Sequence, residues 1–186
     1  MKNVMVVYGT TEGHTRKIAE QIGEWLEESG HRVMIWDSAG EPDPSVSMFD
    51  AFVLAGSLHQ EKHQSSLAHF VKSNLSHLNS KPTLFLSVSL TAIVKDEKHQ
   101  ADASRCIDKF LEETGLKPTL SEPVAGALLY TKYDFLKRFI MLQIAKKEGG
   151  EVDTSKDHEY TDWKALKSLV MRFMAEKVES KEAVRT

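Results

Sequence analysis

Apolar positions along the chain follow two rhythms that alternate. Short continuous runs, Val4-Met5-Val6-Val7-Tyr8, Ala51-Phe52-Val53-Leu54-Ala55 and Thr83-Leu84-Phe85-Leu86-Ser87, read as strands covered on both faces. Between them the period lengthens. Ile18, Ala19, Ile22, Trp25 and Leu26 recur at helical spacing until Ser29, with Gly30 as the stop. Leu67, Phe70, Val71, Leu75 and Leu78 mark the next helix, and Ala103, Ile107, Phe110 and Leu111 another, closed by Gly115. His31 to Trp36 predicts the second strand, with a loop from Asp37 to Val46, and a further loop is expected from Gly56 to Gln64. Val124 to Leu128 predicts the fifth strand, extended backward through Leu120. A last helix is expected to begin near Thr161, with Trp163, Leu166, Val170 and Phe173 on one face. Five strands alternating with helices make a doubly wound α/β sheet.

Composition narrows this picture in three ways. At 186 residues and 41% hydrophobic content the chain suits one domain, 1–186, with a full core. A formal net charge of -3 supplies no basic field for a nucleic acid. The lone cysteine, Cys106, excludes an intrachain disulfide, fits a reducing cytoplasm and reads as packing on a helical apolar face. Met1-Lys2-Asn3 leads straight into a strand too short for a signal sequence, and no run reaches the roughly eighteen apolar residues of a membrane span. The expected location is therefore the cytoplasm.

Candidate chemistry concentrates where the first strand ends. Gly9-Thr10-Thr11-Glu12-Gly13-His14-Thr15 lies between that strand and the amphipathic run beginning at Arg16. The first N–H groups of a helix have no internal partner and sit at the positive end of its dipole, so hydroxyls and glycine at such a turn make an anion cradle. A Walker loop is excluded because His14, not lysine, follows Gly13; the G-x-G-x-x-G fingerprint fails because only Gly9 and Gly13 are present. What remains suits a terminal monophosphate held by hydrogen bonds. A signalling receiver would need clustered acids here, and Tyr8-Gly9-Thr10-Thr11 has none.

The run Thr10-Thr11-Glu12-Gly13-His14-Thr15 resembles the flavodoxin phosphate loop, in which hydroxyl residues and a glycine wrap the phosphate of FMN. That resemblance implies a flavodoxin-like five-stranded parallel sheet of order 2-1-3-4-5, with the ligand outside the strands' carboxyl ends. It implies phosphate binding by Thr10, Thr11, Glu12, Gly13, His14 and Thr15, with Glu12 facing solvent and using only its N–H. The flavin ring would be framed by Ser57, Leu58 and His59 and by Val88, Ser89, Leu90 and Thr91, with His59 or His63 as the nearest planar group in place of an aromatic. His59, Lys62 and His63 against Glu61 would favour the fully reduced flavin and so dehydrogenase chemistry. His59 and His63 lack a convincing third ligand, so no metal is expected; the two read as solvated or as substrate contacts.

Residues 130–160 form an insertion longer than an ordinary connection. Phe135, Leu136, Phe139, Ile140, Leu142 and Ile144 predict an amphipathic helix, flanked by Lys132, Lys137, Arg138, Lys146 and Lys147 against Asp134. Such a helix can lie on an anionic membrane, clamp an acidic apolar substrate, or dock on the core with a solvated basic edge. From Ala125-Gly126-Ala127-Leu128 through Gly149-Gly150-Glu151-Val152-Asp153-Thr154 to Tyr160-Thr161-Asp162-Trp163, the chain is similar to the quinone-dependent protoporphyrinogen IX dehydrogenases of bacteria, with His59 standing where that family has a basic residue. The resemblance implies FMN, a porphyrinogen bearing two propionates and a quinone acceptor, with residues 132–147 able to touch the inner face of the membrane. Lys137 and Arg138 become expected partners of substrate carboxylates. The alternatives are a flavodoxin-like electron-transfer protein or an FMN-dependent quinone reductase with another substrate. No side chain need act as a catalytic base, because the flavin carries the chemistry.

Overall fold

The computed structural model describes residues 1–42, 44–59, 61–93, 97–128 and 158–179. Three strands form its buried centre: β1 (Asn3–Gly9), β3 (Ala51–His59) and β5 (Thr83–Ser89). Edge strands β2 (Arg32–Asp37) and β6 (Leu120–Ala125) flank them, giving the parallel order β2-β1-β3-β5-β6. This is the predicted order for the five long strands. Pro123 lies in β6, an edge position where its missing N–H costs no ladder bond.

Although the central runs look uniformly apolar, residue parity sorts them between two cores. Val4, Val6, Tyr8, Val53, Leu84 and Leu86 meet α1 (His14–Glu28) and α5 (Trp163–Phe173) through Ile18, Ile22, Leu26, Leu166, Val170 and Phe173. Met5, Val7, Phe52, Leu54 and Phe85 meet α2 (Ser65–Ser73) and α4 (Glu97–Thr114) through Leu67, Phe70, Val71, Ile107 and Phe110. Each such side chain stabilises the fold by about 1.5–3 kcal/mol through burial, and truncating Phe52 or Phe173 to alanine costs about 3–5 kcal/mol.

Local chemistry sets the helix ends. Gly30, at φ 84°, donates to Glu27 O while His31 N donates to Leu26 O, a Schellman closure that needs the left-handed residue. The Asp162 carboxylate caps α5 by accepting from Ala165 N at 2.9 Å.

Four boundaries depart from the sequence expectation. The run Leu67–Leu78 is two helices, α2 and α3 (Leu75–Ser80), broken at Asn74, whose Nδ2 donates to Phe70 O at 2.9 Å and so competes with helix continuation. The loop expected from Gly56 is instead the end of β3, which turns at Glu61 (φ 60°) and returns antiparallel as β4 (Lys62–His63), pairing Leu58 with His63 and His59 with Lys62. The predicted fifth strand splits at Gly126: Ala127–Leu128 leaves the sheet as β7 and pairs with β8 (His158–Glu159). Helix α1 starts at His14, two residues early. The predicted insertion helix, with Lys137 and Arg138, lies outside the described residues. No helix among the described residues is long and apolar enough to cross a membrane.

Candidate functional site

Parallel pairing aligns Gly9 with Gly56, Gly56 with Ser87 and Ser89 with Ala125, so the carboxyl ends of the central strands finish together. Outside them opens a cavity of about 650 Å³. The turn after β1 contributes Thr10, Thr11, Glu12, His14 and Thr15; β3 contributes Ser57, Leu58 and His59; the end of β5 contributes Val88 and Ser89, followed by Leu90 and Thr91. All these predicted site residues are brought to one space. Gly13 is not part of the lining. Its φ of 91° is left-handed, and an added Cβ would meet nothing within 4 Å, so glycine is required by the dihedral rather than by crowding.

Hydrogen bonding at the turn leaves alcohol protons to donate. Thr10 Oγ1 accepts from Gly13 N at 2.9 Å, and Thr11 Oγ1 accepts from Gln64 Nε2 at 3.1 Å. Each hydroxyl therefore keeps its own hydrogen for an anion. Thr15 goes further. The residue is 1% exposed, yet among the described residues Oγ1 has no partner, a buried polar orphan of the kind that awaits a ligand. With the unpartnered N–H groups of the first turn of α1, these atoms fit a phosphate.

Positive side chains take little part. Arg16 Nε is bonded to Glu20 at 2.8 Å and lies outside the cavity lining. Lys17 Nζ is 2.5 Å from Glu159 and lies over the Trp163 ring. His14 Nε2 lies 2.8 Å from Thr161 Oγ1, whose own proton goes to Ala125 O at 2.7 Å, so His14 must be the donor. Burial is the main force holding the His14 pKa below its ordinary value; Lys17 adds to this and Glu159 opposes it. Burial raises the Glu159 pKa, but hydrogen bonds from Lys17 and Trp163 outweigh it and leave the carboxyl below its usual range. These contacts tie the segment from His158 to Trp163 to α1 beside the cradle.

Two expectations for the pocket are corrected. Glu12 does not simply face solvent: it is half-buried and lines the cavity. His63 is not a neighbour of the ring position. The β4 return turns it inward, where Nε2 pairs with Ser87 Oγ at 3.0 Å and the imidazole packs on Phe85 and Phe110. Desolvation pushes its pKa down to about 4, so it adds no charge to the loop that could favour a reduced flavin. Pairing with Leu58 sets its side chain on the hairpin face opposite His59, so the two do not converge on one ligand. Among the described residues no group of three metal-ligating side chains is assembled.

The sequence reading missed one side of the cavity. Lys98, Asp102, Arg105, Cys106 and Lys109 of α4 line it, with Glu61 on the β3–β4 turn and Gly126-Ala127 after β6. Cys106 thus faces the cavity and is not packed in the core; burial chiefly holds its thiol pKa up. The recoverable signal was helical spacing, since 98, 102, 105 and 109 share the face opposite Ala103, Ile107 and Phe110.

Comparison with known proteins accords with this arrangement. A family model described as a flavodoxin domain matches residues 5–155. The chain is 33% identical over 162 residues to "Protoporphyrinogen IX dehydrogenase [quinone]" of Escherichia coli (strain K12), covering 87% of this chain and 89% of that protein. It is 32% identical over 172 residues to the protein of the same name from Leishmania major, covering 92% and 74%. Among solved structures, an NADH:FMN oxidoreductase in its apo form superposes with a TM-score of 0.56 at 13% identity, covering 96% of this chain and 91% of that one. Flavodoxin 2 from Bacillus cereus gives 0.50 at 17% identity, covering 80% and 99%. At such identities these two speak to the fold alone.

Proposed function

The chain belongs to the flavodoxin domain family, and from that membership we propose that it is an FMN-dependent oxidoreductase that oxidises protoporphyrinogen IX with a quinone as acceptor. The observation that carries this is the cradle: a buried, unpartnered threonine hydroxyl beside two more donating alcohols at a helix start, in a chain one-third identical to dehydrogenases of that name. Haem biosynthesis is the context that name implies.

In this reading Thr10, Thr11, Gly13, His14 and Thr15, with the N–H of Glu12, hold the FMN phosphate. Ser57, Leu58 and His59 and the segment Val88, Ser89, Leu90 and Thr91 frame the ring. Bound there, FMN supplies the hydride-accepting N5 and the two-electron chemistry. The protein's work is positional. Leu58, Val88 and Leu90 exclude water from the ring edge, Gln64 fixes the hydroxyls of Thr11 and Ser57 by donating to both, and the His14–Thr161 bond holds the return segment against the cradle. Each hydrogen pair removed from the porphyrinogen reduces one quinone to quinol.

The whole chain, 1–186, is read as one domain with its insertion at about 130–160. One finer feature belongs to the same proposal, residues 132–147 lying against the inner face of the membrane, where the quinone resides; Lys137 and Arg138 on that segment are one of two places in the chain where substrate carboxylates could be met, the other being a wall of the cavity itself. The test is anaerobic turnover by FMN-loaded protein. Porphyrin fluorescence should rise on adding porphyrinogen and only when quinone is present. A yellow protein that exchanges electrons with protein reductases but leaves porphyrinogen untouched would replace this reading with that of an electron carrier.

A further inference from the structure

The cavity has an apolar border, Leu58, Val88 and Leu90, and facing it one wall of a different nature. Along α4 that wall presents Lys98, Arg105 and Lys109. Arg105 and Lys109 stand one helical turn apart, about 6 Å along the axis, with Lys98 about 10 Å before them. We propose that this face of α4 is the carboxylate-binding site of the substrate pocket, with Arg105 and Lys109 taking two carboxylates borne on neighbouring arms of one apolar macrocycle and Lys98 extending the field along the helix. The proposal rests on the porphyrinogen reading above, since it assigns that substrate's propionates to residues outside the insertion.

The charges on the wall are available for this. Lys98 and Lys109 carry no ion pair among the described residues, and Arg105 is held only by Asp102, three residues earlier at 2.7 Å. That pair is solvated, with side chains 75% and 36% exposed, and solvated pairs contribute little, so a substrate carboxylate can displace Asp102 at small cost. Arg105 offers a planar fork suited to a carboxylate and Lys109 a mobile point charge. Glu61 across the β3–β4 turn and Glu12 at the cradle also line the cavity. Once the cradle's donors hold a phosphate, these carboxylates disfavour a further anion beside it and leave the α4 face as the favourable wall for a carboxylate. The cradle itself cannot serve, because its donors are committed to a phosphate in this reading.

The experiment uses the FMN-loaded protein and titrates it with protoporphyrin IX and with its dimethyl ester, following porphyrin fluorescence. Wild type should bind the diacid more tightly than the ester. Arg105→Gln/Lys109→Gln should weaken the diacid about tenfold or more and the ester less than about twofold, and Lys98→Gln should weaken the diacid less than the double change. The flavin spectrum and thermal midpoint should stay those of wild type, since all three side chains are exposed. Equal diacid affinity in the double variant overturns the proposal, as does a loss confined to Lys137→Gln/Arg138→Gln, or wild type binding diacid and ester alike. Failure of the functional reading looks different: wild type binds the diacid through α4 yet does not oxidise porphyrinogen with quinone. Conversely, turnover with an unchanged KM in the double variant keeps that reading and removes this site.

Discussion

At the β1–α1 turn the cavity meets alcohols and amides anchored in the buried centre of the sheet, whereas along α4 it meets long charged side chains that are largely in water. Thr15 is buried beside Ile18 and Ala19, and its position is fixed before any ligand arrives. Lys98, Arg105 and Lys109 must be ordered when a ligand arrives, at an entropic cost. The contrast teaches which ligand each end suits. A resident cofactor gains from donors that need no reorganisation, and an exchanging substrate is served by charges that attract it and let it leave.

Acid should separate the two ends most strongly. His63 lies behind the α4 wall against Phe110, and its pKa of about 4 is below the ordinary 6.5 because burial penalises the imidazolium. Above pH 6.5 both folded and unfolded chains leave it neutral. Between 6.5 and about 4 the unfolded chain takes up a proton that the folded one refuses, so stability falls with pH, by roughly 3 kcal/mol in all. Urea unfolding followed across that window should show the slope. His63→Gln, able to keep the bond to Ser87, should be less stable at neutral pH but lose this histidine's share of the slope. An unchanged slope in the variant would show that acid acts elsewhere.

Next in size is Thr15→Val, which probes the other end. Losing a hydroxyl that donates to a charged phosphate should raise the FMN dissociation constant about ten- to a hundredfold. The cofactor-free protein should respond oppositely and gain about 1 kcal/mol, because a buried unpaired hydroxyl becomes a methyl. Flavin fluorescence titration and thermal melts of the apoprotein check the two signs. A variant weaker in both would make Thr15 a structural residue.

Gly13→Ala comes third. Nothing lies within 4 Å of the added Cβ, so the whole cost is the left-handed φ of 91°, about 1–2 kcal/mol. FMN and apoprotein stability should both suffer, and melts with and without cofactor would show it.

The sheet and the cradle were legible because the signals there are local: apolar runs of strand length, broken by hydroxyls and glycine. Asn74 was a readable break, its side chain competing for Phe70 O, but Leu75 and Leu78 kept the helical period and masked it. The β3–β4 hairpin carried no Asn-Gly or Asp-Gly signature, since Glu61 takes the positive φ, and so a return strand looked like a loop. With that turn unread, His63 could not be placed against Phe85 and Phe110, because that packing depends in part on Phe110, 47 residues later. The α4 wall was hidden for another reason. A polar helix face reads the same whether it borders water or a cavity, and only the arrangement of β3, β5 and β6 decides which it is.

The smallest expected effect is also the most direct on the contrast itself. Salt screens separated charges but hardly touches short hydrogen bonds inside a cradle without cations. Arg16 and Lys17 are committed to Glu20 and Glu159, so among the described residues the cradle offers the phosphate no free basic side chain to lose to salt, and raising ionic strength from about 0.05 to 0.5 M should change FMN affinity by less than about twofold. Binding of a dicarboxylate porphyrin at α4 should weaken about three- to fivefold over the same range, and in Arg105→Gln/Lys109→Gln this salt dependence should shrink towards that of FMN. Parallel titrations decide the matter. If both ligands share one salt dependence, the cavity is electrostatically uniform and the division between a neutral cradle and a charged wall fails; if only the porphyrin responds, and only with the α4 cations present, attraction at one end and hydrogen bonding at the other are separate devices in one pocket.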